Sequence, residues 1–256
     1  MRIKYIYIIS LAASFLPAQV LAQEGVVQKA VNPAEHTSNH PYDILGLKPG
    51  GTYEELGAVA SERGIPVVEQ EGTYSLSIGG AQFAMDFAYA FNTAGLENIY
   101  SYRNRPEWEG ISGSLASPAA GSVITRINRT LGIPLNQNVT SDSVLAQLTE
   151  KYGPPGYVED YGSAYIWAHD GDGNLVTEAG TCTFPERIFA YMSLEQMESE
   201  NFCSVVFTFS TMTHSAAREF RFSITDIDLY MADVKAASEQ IDAFFETPTS
   251  PSKLDL

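Results

Sequence analysis

The chain is short of positive charge, of cysteine and, beyond its first residues, of long apolar runs, and each shortage removes a class of function. Fifteen Lys and Arg stand against 31 Asp and Glu in 256 residues, a formal net charge of −16. No basic stripe or Lys/Arg cluster offsets it, so a phosphate backbone would be repelled and nucleic acid is not an expected partner. No apolar run after the N-terminus reaches the roughly 20 residues of a membrane helix, so no transmembrane span is expected in the mature chain. The sequence also lacks a Gly-x-Ser-x-Gly elbow, a phosphate-cradling Gly-Lys-Ser/Thr loop and a dinucleotide fingerprint, so it indicates no cofactor and no particular reaction. What remains is the composition of an ordinary globular protein, 45% hydrophobic and 18% charged with 20 Gly and 13 Pro, which excludes disorder, collagen and coiled coil.

The first 22 residues read as an address. Arg2 and Lys4 precede an apolar run from Tyr5 to Leu16, Pro17 breaks it, and Val20-Leu21-Ala22 places small or short residues before Gln23. That is the pattern of a secretory signal peptide, with an uncleaved signal anchor as the alternative. Cleavage between Ala22 and Gln23 would give a periplasmic or secreted chain, and losing Arg2 and Lys4 takes the charge from −16 to −18. No Cys lies near the cleavage point, so no acylated N-terminus is expected. The only cysteines, Cys182 and Cys203, form an even set beside strand-like residues, which in an oxidising compartment points to a disulfide, with two buried thiols as the alternative. The triplets starting at Asn128 and Asn138 would matter only in a eukaryotic secretory pathway.

Residues 23 to 41, with Pro33, Asn39 and Pro41, read as a flexible leader, and 248 to 256 as a frayed tail. Between them the pattern gives a first helix-plus-sheet unit over 42–116 and a second over 117–247. In the first, Thr52 and Glu55 make a capping box for a helix to about Arg63. Strands over Tyr74–Ile78 and Phe83–Phe91 join at Gly79-Gly80, and a third is predicted near Ile99–Arg103. The stretch Arg105–Gly121 reads as a linker. In the second, Ser122–Leu131 is a strand or short helix, and Thr140 or Ser141 caps a helix ending at Gly153-Pro154-Pro155. Tyr165–His169 is a strand, Val205–Met212 and Phe220–Tyr230 are long strands, and a final helix runs from about Met231 to Phe245. A shift of 89 residues sets Leu56 on Leu145, Gly64 on Gly153 and Pro66 on Pro155, the mark of one unit used twice.

Leu47-Lys48-Pro49-Gly50-Gly51-Thr52 through Leu56, and Ser141-Asp142-Ser143-Val144-Leu145 through Leu148, Gly153, Pro155 and Ile166-Trp167, resemble the signature of the small outer-membrane-assembly lipoproteins of the BamE (SmpA/OmlA) type. The tandem arrangement is similar to that of the β-lactamase-inhibitor proteins, and the whole chain is similar to uncharacterised exported proteobacterial proteins. The resemblance implies an α+β fold of two related units, each a helix packed on an antiparallel sheet, with a C-terminal helix. It also implies an envelope-assembly or inhibitor-type module whose partner is an envelope protein. The lipid-bearing Cys of the assembly lipoproteins is absent here.

Other constellations favour bland readings. His36 and His40 stand four apart but among prolines, which makes them a solvated loop rather than a metal pair. Asp170-x-Asp172-x-Asn174 begins like a calcium loop, yet Leu175 stands where Gly is needed and Thr181 where the bidentate Glu belongs, so a polar turn is expected. His169 and His214 read as rim residues at strand ends, and Glu159-Asp160 and Asp226 with Asp228 as chance acidic pairs. Trp108 and Trp167 fit sheet faces and core. No catalytic, cofactor or metal residue is assigned, and Cys182 and Cys203 are the only site residues. The expected function is binding a protein partner. The alternatives are an envelope hydrolase with a non-motif active site and a small-molecule carrier with an aromatic cleft.

Overall fold

The computed structural model describes residues 40–78, 81–93, 107–159, 164–184, 194–214 and 217–246. The predicted signal peptide, leader and tail, the Gly79-Gly80 turn and the strand expected near Ile99–Arg103 lie outside these residues. Helix α1 spans Tyr53–Glu62 and starts as its sequence requires: the Thr52 side chain accepts from the Glu55 N–H at 3.2 Å and the Glu55 carboxylate accepts from the Thr52 N–H at 2.9 Å. Helix α2, Ser141–Tyr152, repeats the device with Thr140 and Ser143. At its end the Trp167 indole donates to the Gly153 carbonyl at 3.0 Å.

The strands are β1 (Val67–Ile78), β2 (Ala81–Thr93), β3 (Trp108–Leu115), β4 (Ile124–Pro134), β5 (Tyr157–Val158), β6 (Ala164–His169), β7 (Val205–Thr213) and β8 (Ala217–Asp226). A short helix α3 covers Leu194–Ser199, and α4 covers Ile227–Glu246.

The expected pair of helix-on-sheet units does not form. All eight strands make one antiparallel sheet in the order β1-β2-β3-β4-β8-β7-β6-β5. At its centre β4 and β8 pair over nine positions, from Arg126↔Thr225 to Pro134↔Ala217. The seam supposed to divide the two units falls between β3 and β4, which pair from Trp108↔Gly132 to Leu115↔Ile124, and one core cluster crosses it, from Tyr42, Leu56, Phe91 and Ile111 to Phe207, Phe209, Phe220 and Ile224. Pairing β3 with β4 removes two strand edges that separate units would expose. The supposed linker is corrected by the same register, because it contains β3, paired to β4 from Trp108↔Gly132 onward. Its small residues do steric work: a Cβ on Gly113 would lie 2.0 Å from the Arg126 carbonyl oxygen and 2.4 Å from the Phe91 ring.

The segment Ser122–Leu131 resolves as strand. The C-terminal helix begins at Ile227, four residues before Met231, because the Asp226 carboxylate accepts from the Leu229 N–H at 2.8 Å and starts the helix there.

The register divides the sheet into two faces. One carries α1, α2 and the main core. The other is covered in two places. Ile166, Ala168 and Val206 lie under a segment tied by Cys182 and Cys203. At the far side, β2 meets β3 only over Ala90–Asn92, so the rest of the β1–β2 hairpin projects as an arm. Its Phe83 and Met85 pack against Ile241, with Phe244 and Phe245 of α4 around them. A hairpin alone is marginal in water, and the end of α4 supplies the apolar surface this arm needs.

Candidate functional site

Two polar clusters and one open surface are candidates. The first cluster sits where residues 40–47 strap onto the core. Tyr42 is 1% exposed, stacked on Phe207 with centroids 5.4 Å apart and edge-on to Tyr152. Its hydroxyl lies 2.7 Å from His169 Nε2, and His169 Nδ1 lies 2.9 Å from the Gly173 carbonyl. A carbonyl only accepts, so Nδ1 carries the proton, Nε2 accepts and the Tyr42 hydroxyl donates. Burial, with Tyr152 alongside, raises the Tyr42 phenol and keeps it neutral. Beside it, Lys151 Nζ meets Asp43 Oδ2 at 2.6 Å, and Tyr152 donates to the Asp43 carbonyl at 2.9 Å. Burial opposes ionisation of Asp43, but bonds from Lys151, Gly46 and Tyr152 outweigh it and hold the carboxyl below its usual range. Every polar group named here is spent on another, so the cluster fastens the strap rather than presenting a reactive atom. His40 belongs to it, which corrects the solvated-loop reading: it is 6% exposed and stacks on Tyr42. His36 lies outside the described residues.

The second cluster surrounds Glu219, a carboxylate with no exposed surface. His214 Nε2 donates to its Oε2 at 2.6 Å, and Arg221 Nε donates to its Oε1. His214 is thus more than a rim residue. Both carboxylate oxygens are occupied, which ties the group down as part of an ion-pair network.

Glu219 lies covered at one end of the open surface. On the face opposite α1 and α2, the register lays out three successive rows across β7, β8, β4 and β3: Thr208, Ser223, Asn128, Ser112; then Ser210, Arg221, Thr130, Gly110; then Met212, Glu219, Gly132, Trp108. The first two rows are short, hydroxyl-rich and, apart from buried Gly110, half-buried. Asn128 Oδ1 accepts from Arg126 Nε at 3.1 Å and from the Ser223 hydroxyl at 2.8 Å, which orients this floor. In the third row Trp108 is buried with its indole over Gly132, and Met212 alone is open, 47% exposed at the margin.

Helix α4 bounds the floor on one side and the disulfide segment on another. They meet it at a cleft of ≈ 30 Å³ lined by Arg126, Phe184, Val206, Ser223, Thr225 and Ile227. That volume holds about one water, far short of the roughly 300 Å³ of a ligand pocket. The arrangement is a shelf with two raised sides. Across β2 to β8 this face carries Arg126, Arg221 and Glu219 as its charged residues, whereas the whole chain has twice as many acids as bases.

Cys182 and Cys203 are bonded, with Cα atoms 5.0 Å apart, and both are buried. Asp170, Asp172 and Asn174 form a turn: Asp170 Oδ1 accepts the N–H of Asn174 at 2.8 Å and of Asp172 at 3.0 Å. Those bonds, the Asn174 ones foremost, lower the Asp170 carboxyl. No group of three or more His, Cys, Asp or Glu that could hold a metal occurs among the described residues. Nor is any described helix long and apolar enough to cross a membrane. The acidic pair at 226 and 228 is explained by helix capping and by a bond from the Ser204 hydroxyl to Asp228.

Sequence reasoning missed Glu219, Arg126 and Asn128 as members of one surface. The available signal was the alternation of Glu219, Arg221, Ser223 and Thr225 against Phe220, Phe222 and Ile224, which marks a wet face without saying which strands lie beside it. Compared with known proteins, the chain matches no family model, no curated protein and no solved structure.

Proposed function

We propose that this is an exported protein that works by binding an envelope protein on the shelf formed by β3, β4, β8 and β7. The observation that carries the reading is the open floor between α4 and the disulfide segment, with arginines on it and the exposed Met212 at its margin in an otherwise acidic chain. Short hydroxyl side chains let a partner approach the sheet closely, and Met and Arg are among the residue types enriched at interfaces. The bonded Cys182–Cys203 pair and the signal-like N-terminus support an oxidising compartment.

The test is site-specific photocrosslinking in the native host, with the crosslinking residue at Thr130 or Ser210 on the shelf and at Glu62 on the outer side of α1. The same partner captured from both shelf positions and not from Glu62 is the expected result. Arg221→Ala should then weaken retention by about 2 kcal/mol, the size of a hot-spot loss. Capture from Glu62 with none from the shelf defeats the reading.

A further inference from the structure

A second surface, independent of the shelf, lies along the outer edge of β1. Among the described residues this is the long free edge of the sheet: β1 runs twelve residues and pairs only with β2, whereas the opposite edge ends in the two-residue β5. A strand edge presents a row of outward N–H and C=O groups that another strand can complete, and proteins blunt such edges with shortness, proline or lysine. Shortness protects β5. Val67–Ile78 contains neither proline nor lysine.

The two faces of this edge differ. On one, Glu69 and Glu71 lie in line with Thr73, Ser75 and Ser77, and Asp86 of β2 stands across from Thr73. All three carboxylate residues are exposed, and neither β1 nor β2 contains a Lys or Arg. On the other face, Val68 is 50% exposed and Tyr74 and Leu76 continue the apolar cluster of Phe83, Met85 and Phe244 to the edge. A strand laid against β1 would therefore set alternate side chains beside an apolar layer and the intervening ones beside carboxylates.

We propose that the β1 edge receives an extended segment of a basic partner in which apolar and Lys or Arg residues alternate, added as a ninth strand. The backbone ladder supplies affinity, and the two faces of β1 supply side-chain selection. A second copy of this chain fits less well, since it would bring another Glu69, Glu71 and Asp86 to an already acidic edge.

The experiment uses the full chain and a fluorescent peptide of β1's length that alternates Val and Lys. Two further forms carry N-methyl groups on alternate amides, in one phase or the other. Only one phase blocks the amides that face β1, so fluorescence anisotropy should show about tenfold weaker binding for one methylated form and little change for the other. A Val–Glu peptide should not bind. The variant Glu69→Lys/Glu71→Lys, whose fold is checked by circular dichroism, should reverse that charge preference. Equal binding of both methylated forms would mean that the peptide adheres by charge alone, and overturns the proposal. So does a stable dimer of the free chain in light scattering that excludes the peptide, or an unchanged preference in the charge-reversed variant.

Discussion

At the scale of single residues, cross-strand aromatic–glycine pairs set how closely the central strands pack. The Phe91 ring lies over Gly113 on the helix-bearing face, and the Trp108 indole lies over Gly132 on the other. A Cβ at Gly113 meets a backbone oxygen that cannot move alone, and one at Gly132 meets an indole that must tilt. Alanine at either position should cost roughly 1–3 kcal/mol, with Gly113→Ala the worse. Gly57, inside α1, has nothing within 4 Å of an added Cβ, so Gly57→Ala should stabilise by about 0.5–1 kcal/mol through helix propensity. Thermal melts of the three variants check the signs, and a Gly113→Ala protein that melts no lower than the parent would contradict the packing argument.

At the scale of elements, α4 is the part that most needs explaining, because it leaves the end of β8 and crosses to the β1–β2 arm. It is fixed at its start by Asp226 and about two turns later by Asp233, whose Oδ1 accepts from the Ser117 N–H at 2.9 Å and from the Ser117 hydroxyl at 2.5 Å. Burial raises the Asp233 carboxyl above its ordinary value, although both Ser117 bonds pull the other way. With the folded value raised, the folded state favours the protonated form. Stability contributed by this group is thus present at low pH and lost as pH climbs from about 4 through the raised value. Asparagine keeps the accepting oxygen and removes the charge. Asp233→Asn is expected to melt above the parent near about pH 7, with the difference shrinking toward about pH 4. A variant less stable than the parent across that range would mean that the charged bonds outweigh the burial.

At the scale of the whole molecule, the disulfide holds the cover over the β5–β6–β7 side of the sheet. Its cysteines are 21 positions apart, and on chain-entropy grounds a loop of that length contributes roughly 3 kcal/mol. For a chain of this size that corresponds to about 6 to 12 °C of melting temperature. Cys182→Ala/Cys203→Ala should show that loss by calorimetry. A fall of under about 2 °C would show that Ile166, Val206 and Ile227 hold the segment without the bond.

The features legible in the sequence are those that close within a few residues. The Thr52–Glu55 box, the Thr140 cap, the Asp170 turn and the alternation along β8 are each fixed by neighbours in the chain, where loop closure costs little. The cysteine pair was legible for a different reason, since two cysteines allow only one pairing. Tertiary structure decided the rest. Ile227 to Tyr230 combines strand-forming residues with a helix cap, and the outcome turned on Asp226 and the packing of α4. The Tyr42–His169 bond joins residues 127 apart, and the Arg126–Asn128–Ser223 floor exists only because β4 lies beside β8. Repetition of a helix-then-strand order is equally compatible with two sheets and with one. The choice belongs to strand edges, whose backbone groups carry no side-chain signature and are satisfied here by joining both halves of the chain into a single sheet.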